Sequence, residues 1–146
     1  MTLYRRWGDV DRLVRDLMAR EFSTLVPTTA TGDRAELVAA VVAAVSALRH
    51  DVLFARVLDV EPDLLLPYVT DRLGSTQHAV VTVLTAGIRA AQDTGTVRAG
   101  EPDRLAHVVL LIAQPFAVSA RTVAGRLDEA ALDAELARAL DGYLRP

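Results

Sequence analysis

The chain has 146 residues, which is enough for one hydrophobic core and too few to assume two. Apolar residues make up 51% and charged residues 24%, with a formal charge of −3, a balance that argues against disorder and against any overall pull toward nucleic acid or an anionic membrane. The absence of Cys excludes disulfides, thiolate metal sites and Cys nucleophiles, and makes a reducing cytoplasm the expected compartment. The Arg-rich start lacks a following apolar h-region, and the most apolar stretch, Leu105 to Val118, is shorter than a membrane span. Every basic residue is Arg, and residues 1–20 hold five of them against three Asp, so the basic character is concentrated at the N-terminus.

Hydrophobic periodicity places helices along the whole chain. The first is expected from Asp9 as N-cap, with Val10, Leu13, Val14, Leu17, Met18, Phe22 and Leu25 on one face and Arg12, Arg15, Asp16 and Arg20 mostly opposite. It stops in the turn-rich stretch from Pro27 to Gly32. A second helix opens with Asp33 and Glu36, the three-residue offset of a capping box, and runs to about His50 with Leu37, Val41, Ala44, Val45 and Leu48 as its stripe. A shorter segment follows from Asp51 to about Val60.

Glu-Pro-Asp occurs twice, at Glu61–Asp63 and Glu101–Asp103, and both read as helix starts, because Pro suits the first helical position and acids suit the positive end. The first leads into Leu64–Leu73, where Gly74 interrupts. A long helix is expected from about Ser75 to Asp93, ending at Gly95. Beyond Asp103 the residues Leu105, Val108, Val109, Leu110, Leu111 and Ile112 leave no polar face apart from His107 and Gln114. A helix apolar all round is expected to be buried all round, and in a chain of this size a partner chain is the simplest cover. The last helix, after Asp128, is amphipathic through Leu132, Leu136, Leu140, Tyr143 and Leu144. The fold class is all-α.

Residues 2–17 read Thr-Leu-Tyr-Arg-Arg-Trp-Gly-Asp-Val-Asp-Arg-Leu-Val-Arg-Asp-Leu. This stretch resembles the end of the DNA-binding region in TetR-family regulators, where a recognition helix finishes in Thr/Ser-hydrophobic-Tyr and is followed by basic or aromatic residues, a short turn and a helix. The elements are Thr2, Leu3, Tyr4, Arg5, Trp7, Gly8, Asp9 and Leu13. Val10 stands where the family usually has Lys. The Leu65-Leu66-Pro67-Tyr68 segment and the Gly95-Thr96-Val97-Arg98-Ala99-Gly100 loop are consistent with the same family.

The resemblance implies a TetR-like C-terminal helical bundle, with residues 1–8 as the remnant of a helix-turn-helix DNA-binding domain and 9–146 as a ligand-binding and dimerisation domain. It implies that Tyr4 and Arg5 match positions touching the DNA backbone, and that the last two long helices pair with their mates in a homodimer through Leu110, Leu136 and Leu140. A repressor with a small, mainly apolar effector is the expected function. Operator reading needs a recognition helix in the major groove, so DNA is expected as a partner only with a head upstream of Met1. The alternative is a headless module that acts by heterodimerising with a full-length regulator.

Other constellations carry less. Ser46, His50 and Asp51 superficially suggest a hydrolase triad, but Asp51 is poorly placed to orient the imidazole and there is no nucleophile elbow. Asp59, Glu61 and Asp63 lack the Gly and later acid of a calcium loop, and His50, His78 and His107 lack metal-ligand spacing. No enzyme activity, metal or cofactor is expected. His107 and Gln114, polar groups in the most apolar helix, are expected to be either satisfied at a dimer seam or polar anchors of an effector cavity. Phe54, Tyr68, Leu84, Leu111 and Phe116 complete the expected cavity lining.

Overall fold

A computed structural model describes residues 32–60, 62–64, 66, 70 and 73–146. The expected first helix and the positions Tyr4, Arg5 and Tyr68 lie outside the described residues. Those described are all-α: five α-helices with two short 3-10 turns and no strand.

The helices begin where the caps say they should. In α1 (Arg34–His50) the Asp33 carboxylate accepts the Glu36 backbone N–H at 2.8 Å, satisfying one of the orphan donors of the first turn. Asp51 then caps α2 (Val52–Val60) by accepting the Phe54 N–H at 2.8 Å. A 3-10 turn spans Pro62–Leu64. α3 (Ser75–Asp93) starts after Gly74, whose N–H donates to Oε1 of Gln77 at 2.8 Å. α4 (Pro102–Val118) has Pro102 in its first turn as the Glu-Pro-Asp motif requires, and Pro115 inside its last. A second 3-10 turn, Ala120–Val123, leads to α5 (Glu129–Leu144), capped by Asp128 on the Ala131 N–H at 2.8 Å.

α4 is the central element, packed against α1, α3 and α5. Its inner face is built from Leu105, Ala106, Val109, Ala113 and Ala117, and the three alanines let the neighbouring helices approach closely. Ile88 of α3 and Leu136, Leu140 and Leu144 of α5 close on it with 0–1% of their surface exposed.

The loop after α3 ties three helix ends together. Gly95 (φ 70°) turns the chain, and Val97 is buried beneath it. Arg98 donates from its backbone N–H to the Leu144 carbonyl and from Nε to the Tyr143 carbonyl, both at 2.9 Å, and its guanidinium lies 4.7 Å from the Tyr143 ring centre. A cation thus meets the unsatisfied carbonyls and negative end of α5, which gives the Gly95–Gly100 loop a physical role. On its other side Thr94 Oγ1 donates to the Gly32 carbonyl at 2.7 Å, and Thr96 Oγ1 accepts the Arg34 N–H at 3.0 Å. Gly32 is buried with φ 86°, and a Cβ there would stand 3.4 Å from that of Ala90. The entry of the chain into α1 is therefore fixed.

Candidate functional site

Two surfaces stand out, and the first carries Leu111 of the expected site. The first is the outer face of α4. Residues 104, 108, 111 and 115 follow one another at helical spacing, and Arg104, Leu111 and Pro115 are exposed while Val108 is half-buried. Leu111 leaves 69% of its surface in solvent at the middle of the helix. Within the single chain only the Ala-rich side of this helix is buried, which leaves the cover expected from a partner to the outer face.

The residues expected to form a polar-anchored cavity separate. Phe54 and Leu84 are buried in the common core, and Phe116 packs partly against it. Leu111 points outward rather than into a cavity. His107 is not a buried anchor either: its side chain is 41% exposed and its Nδ1 sits 2.8 Å from the carbonyl oxygen of Asp103 and 3.4 Å from that residue's Oδ2. Gln114 is half-buried and accepts through Oε1 from Gln77 Nε2 at 2.6 Å, so a group of its own chain answers it. Among the described residues no polar or charged residue is fully buried, and no buried side-chain N or O is left without a partner.

Two of the three residues expected at the dimer interface turn inward. Leu136 and Leu140 are 0% exposed and fill this chain's own core, so they have no surface to present to a second chain. Leu110 is half-buried and packs on that core as well. One residue along the helix, a rotation of about 100°, separates it from the exposed Leu111.

The second surface is a groove of about 1040 Å³ between α1 and α5. Ala35, Ala39, Ala43 and Ala47 repeat every fourth residue along it, with Val38 and Val42 beside them and Asp133, Ala137, Arg138 and Asp141 on the α5 side. None of the described residues expected to line a cavity borders it.

Two arginines pin the ends of this helix pair. Arg49, with 4% of its side chain exposed, donates to Asp133 Oδ1 at 2.5 Å, Glu129 Oε2 at 2.8 Å and the Phe116 carbonyl at 3.4 Å. Burial alone pulls its pKa down, but the hydrogen bonds it donates to Asp133 and Glu129 and their charges outweigh that and hold it above the usual guanidinium value. At the other end Arg34 reaches Asp141 Oδ1 at 2.7 Å and the Thr96 carbonyl at 2.8 Å, while Arg145 takes Asp141 Oδ2 at 2.6 Å. Hydrogen bonds from Arg145 and then Arg34 hold the Asp141 carboxyl below its usual value.

The hydrolase-like trio is structural. His50 Nδ1 lies 2.7 Å from the Ser46 carbonyl, and Asp51 faces the start of α2 rather than the imidazole. No group of three or more His, Asp or Glu able to hold a metal occurs among the described residues, and no single helix among them is long and apolar enough to cross a membrane. Sequence reasoning missed Arg34 and Arg49 and named Arg98 only as a member of its loop. The acids early in α5 and the Arg in the last turn of α1 were visible signals, but their pairing spans 80 residues or more.

Three mycobacterial proteins are similar to the chain over 146 residues at 40% identity, covering 98% of this chain and 76% of each relative. One is an uncharacterised HTH-type transcriptional regulator of Mycobacterium bovis, and the others are uncharacterised HTH-type transcriptional regulators of two Mycobacterium tuberculosis strains. No protein-family profile and no solved structure matches the chain.

Proposed function

The chain belongs to the HTH-type transcriptional regulators, and we propose that within them it is of the TetR type: a helical body that dimerises and answers a small, mainly apolar effector. The Thr2–Leu13 stretch, the order of the helices and the Gly95–Gly100 loop support this reading. The observation that carries it is Leu111. Its exposure at the centre of the helix that organises the core leaves apolar surface whose burial against a second copy would contribute about 1–2 kcal/mol per chain at this residue alone. The interface of the proposal is therefore the Arg104–Leu111–Pro115 face of α4, on both chains of a twofold dimer, in place of Leu136 and Leu140.

In this reading a small apolar effector binds within the helical body. It biases the N-terminal segment only so far as it binds one arrangement more tightly than the other. Sedimentation of wild type against Leu111→Arg tests the dimer: wild type should run as a dimer and the variant as a folded monomer. A monomeric wild type, or a variant that stays dimeric, would overturn this interface. A thermal-shift screen with apolar compounds tests the effector, because a binder raises the melting temperature by mass action. A broad screen without a single shift speaks against that half of the proposal.

A further inference from the structure

The outer face of α4 is not apolar throughout. Arg104 stands on it in line with Val108, Leu111 and Pro115, and its side chain makes no ion pair among the described residues. The neighbouring acid, Asp103, lies about 100° round the helix and meets His107 instead, with Nδ1 3.4 Å from Oδ2. Closing an apolar face over Arg104 strips water from a guanidinium, which is costly unless an acceptor meets its N–H groups.

The same face holds an acceptor that has lost its donor. In an α-helix the carbonyl of residue 111 takes its hydrogen bond from the N–H of residue 115, and Pro115 has none. The proline ring also crowds that carbonyl and pushes it aside. Because the Leu111 carbonyl points along the helix toward Pro115, it lies between two residues that are both exposed.

The spacing brings donor and acceptor together across a twofold axis. The strip is symmetric about the point between Val109 and Leu110: Val108 and Leu111 stand equally far from it on either side, and so do Arg104 and Pro115. When α4 packs antiparallel on its copy about that point, Val108 meets Leu111 of the partner subunit and Arg104 meets Pro115 of the partner subunit, each contact occurring twice. No other placement along the helix pairs all four residues.

We propose that Arg104 locks the α4 seam, its guanidinium donating across the twofold axis to the carbonyl of the partner's Leu111, the acceptor that Pro115 releases. The inference rests on the α4 interface proposed above and names the contact that sets its register.

A double-mutant cycle on the dimer dissociation constant of the full chain, measured by sedimentation, tests it. Arg104→Met keeps an unbranched apolar stem and removes the donors, whereas Pro115→Ala returns an N–H to the Leu111 carbonyl. Each should weaken the dimer about tenfold or more. The double variant should be no weaker than the worse single, because either change alone removes the contact. Independent effects, with the double variant weaker by the product of the two, would overturn the proposal, as would an Arg104→Met dimer as tight as wild type. If Leu111→Arg still gives a folded monomer in either case, the α4 interface stands and only the Arg104 contact falls; a monomeric wild type removes both. Pro115→Val restores the same N–H with a side chain nearer proline's size, and keeps the cycle readable should Pro115→Ala fold poorly.

Discussion

Leu136 and Leu111 are the same residue in two helices of one bundle, and the structure treats them oppositely. Leu136 sits on the inner side of α5 with none of its surface exposed; Leu111 sits on the outer side of α4 with 69% exposed. The inner positions of α4 are mostly alanine, and Leu111 at its middle faces away from the core while Leu110 and Ile112 beside it pack against it. The two arginine clamps repeat the contrast. Arg49 is enclosed by two carboxylates and a carbonyl with 4% of its side chain exposed, whereas Arg34 keeps 25% and shares Asp141 with an exposed Arg145. Chemically matched groups therefore do different work according to depth: the enclosed ones hold the fold, and the open ones are available for contacts beyond it.

The contrast is broken most directly by truncating both leucines. Leu136→Ala removes buried methyl groups and leaves a cavity, and should cost about 2–5 kcal/mol in denaturant unfolding. Leu111→Ala, measured at concentrations where wild type is monomeric, should change stability by no more than about 0.5 kcal/mol. Equal losses would show that Leu111 is covered within the chain and would remove the basis for the α4 interface.

The next largest effect is expected at Arg49. Arg49→Ala strands Asp133 and Glu129 beside each other and frees the Phe116 carbonyl. Because those acids keep 32% and 57% of their surfaces in solvent, water can rescue them in part. The loss should be about 1–3 kcal/mol, below the full cost of breaking an enclosed pair. Arg49→Lys keeps the charge without the planar fork and should recover only part of the loss. A full recovery would mean that charge alone, not the geometry joining α1, α4 and α5, accounts for the clamp.

Much of the fold was legible in the sequence, since helix starts depend on local chemistry. Asp33, Pro102 and Asp128 announce their helices within a few residues, and the boundaries of α1, α3, α4 and α5 follow from them. The candidate site was not legible, for a reason specific to α4. From Leu105 to Ile112 bulky apolar residues stand on several sides of the helix, so Leu110 and Leu111, one step apart, could not be sorted. Leu136 and Leu140 were read correctly as an apolar stripe, yet the stripe does not say whether a neighbour in the same chain or in another covers it. His107 and Gln114 drew attention as polar groups in an apolar run, but a carbonyl one turn back and a Gln on α3 answer them.

The smallest effect, and the one that sharpens the comparison of the clamps, is at Asp141. Its carboxyl is held below the usual 3.8 by hydrogen bonds from Arg145 and Arg34, so the folded protein binds its proton less readily than the unfolded chain. A depressed carboxyl pKa contributes stability that is fully present above the unfolded value and fades as pH falls through the folded one. Wild type should therefore be more stable than Asp141→Asn at neutral pH, and the difference should vanish on acidification below the ordinary carboxylate range. Urea unfolding of both proteins from pH 7 down to acid measures it. At the Arg49 end the opposite holds over neutral pH, because a guanidinium raised above its usual value keeps its proton throughout. If the two proteins keep a constant gap as the pH falls, Asp141 contributes by shape and hydrogen bonding without its charge, and the open clamp is no more electrostatic than its neighbours.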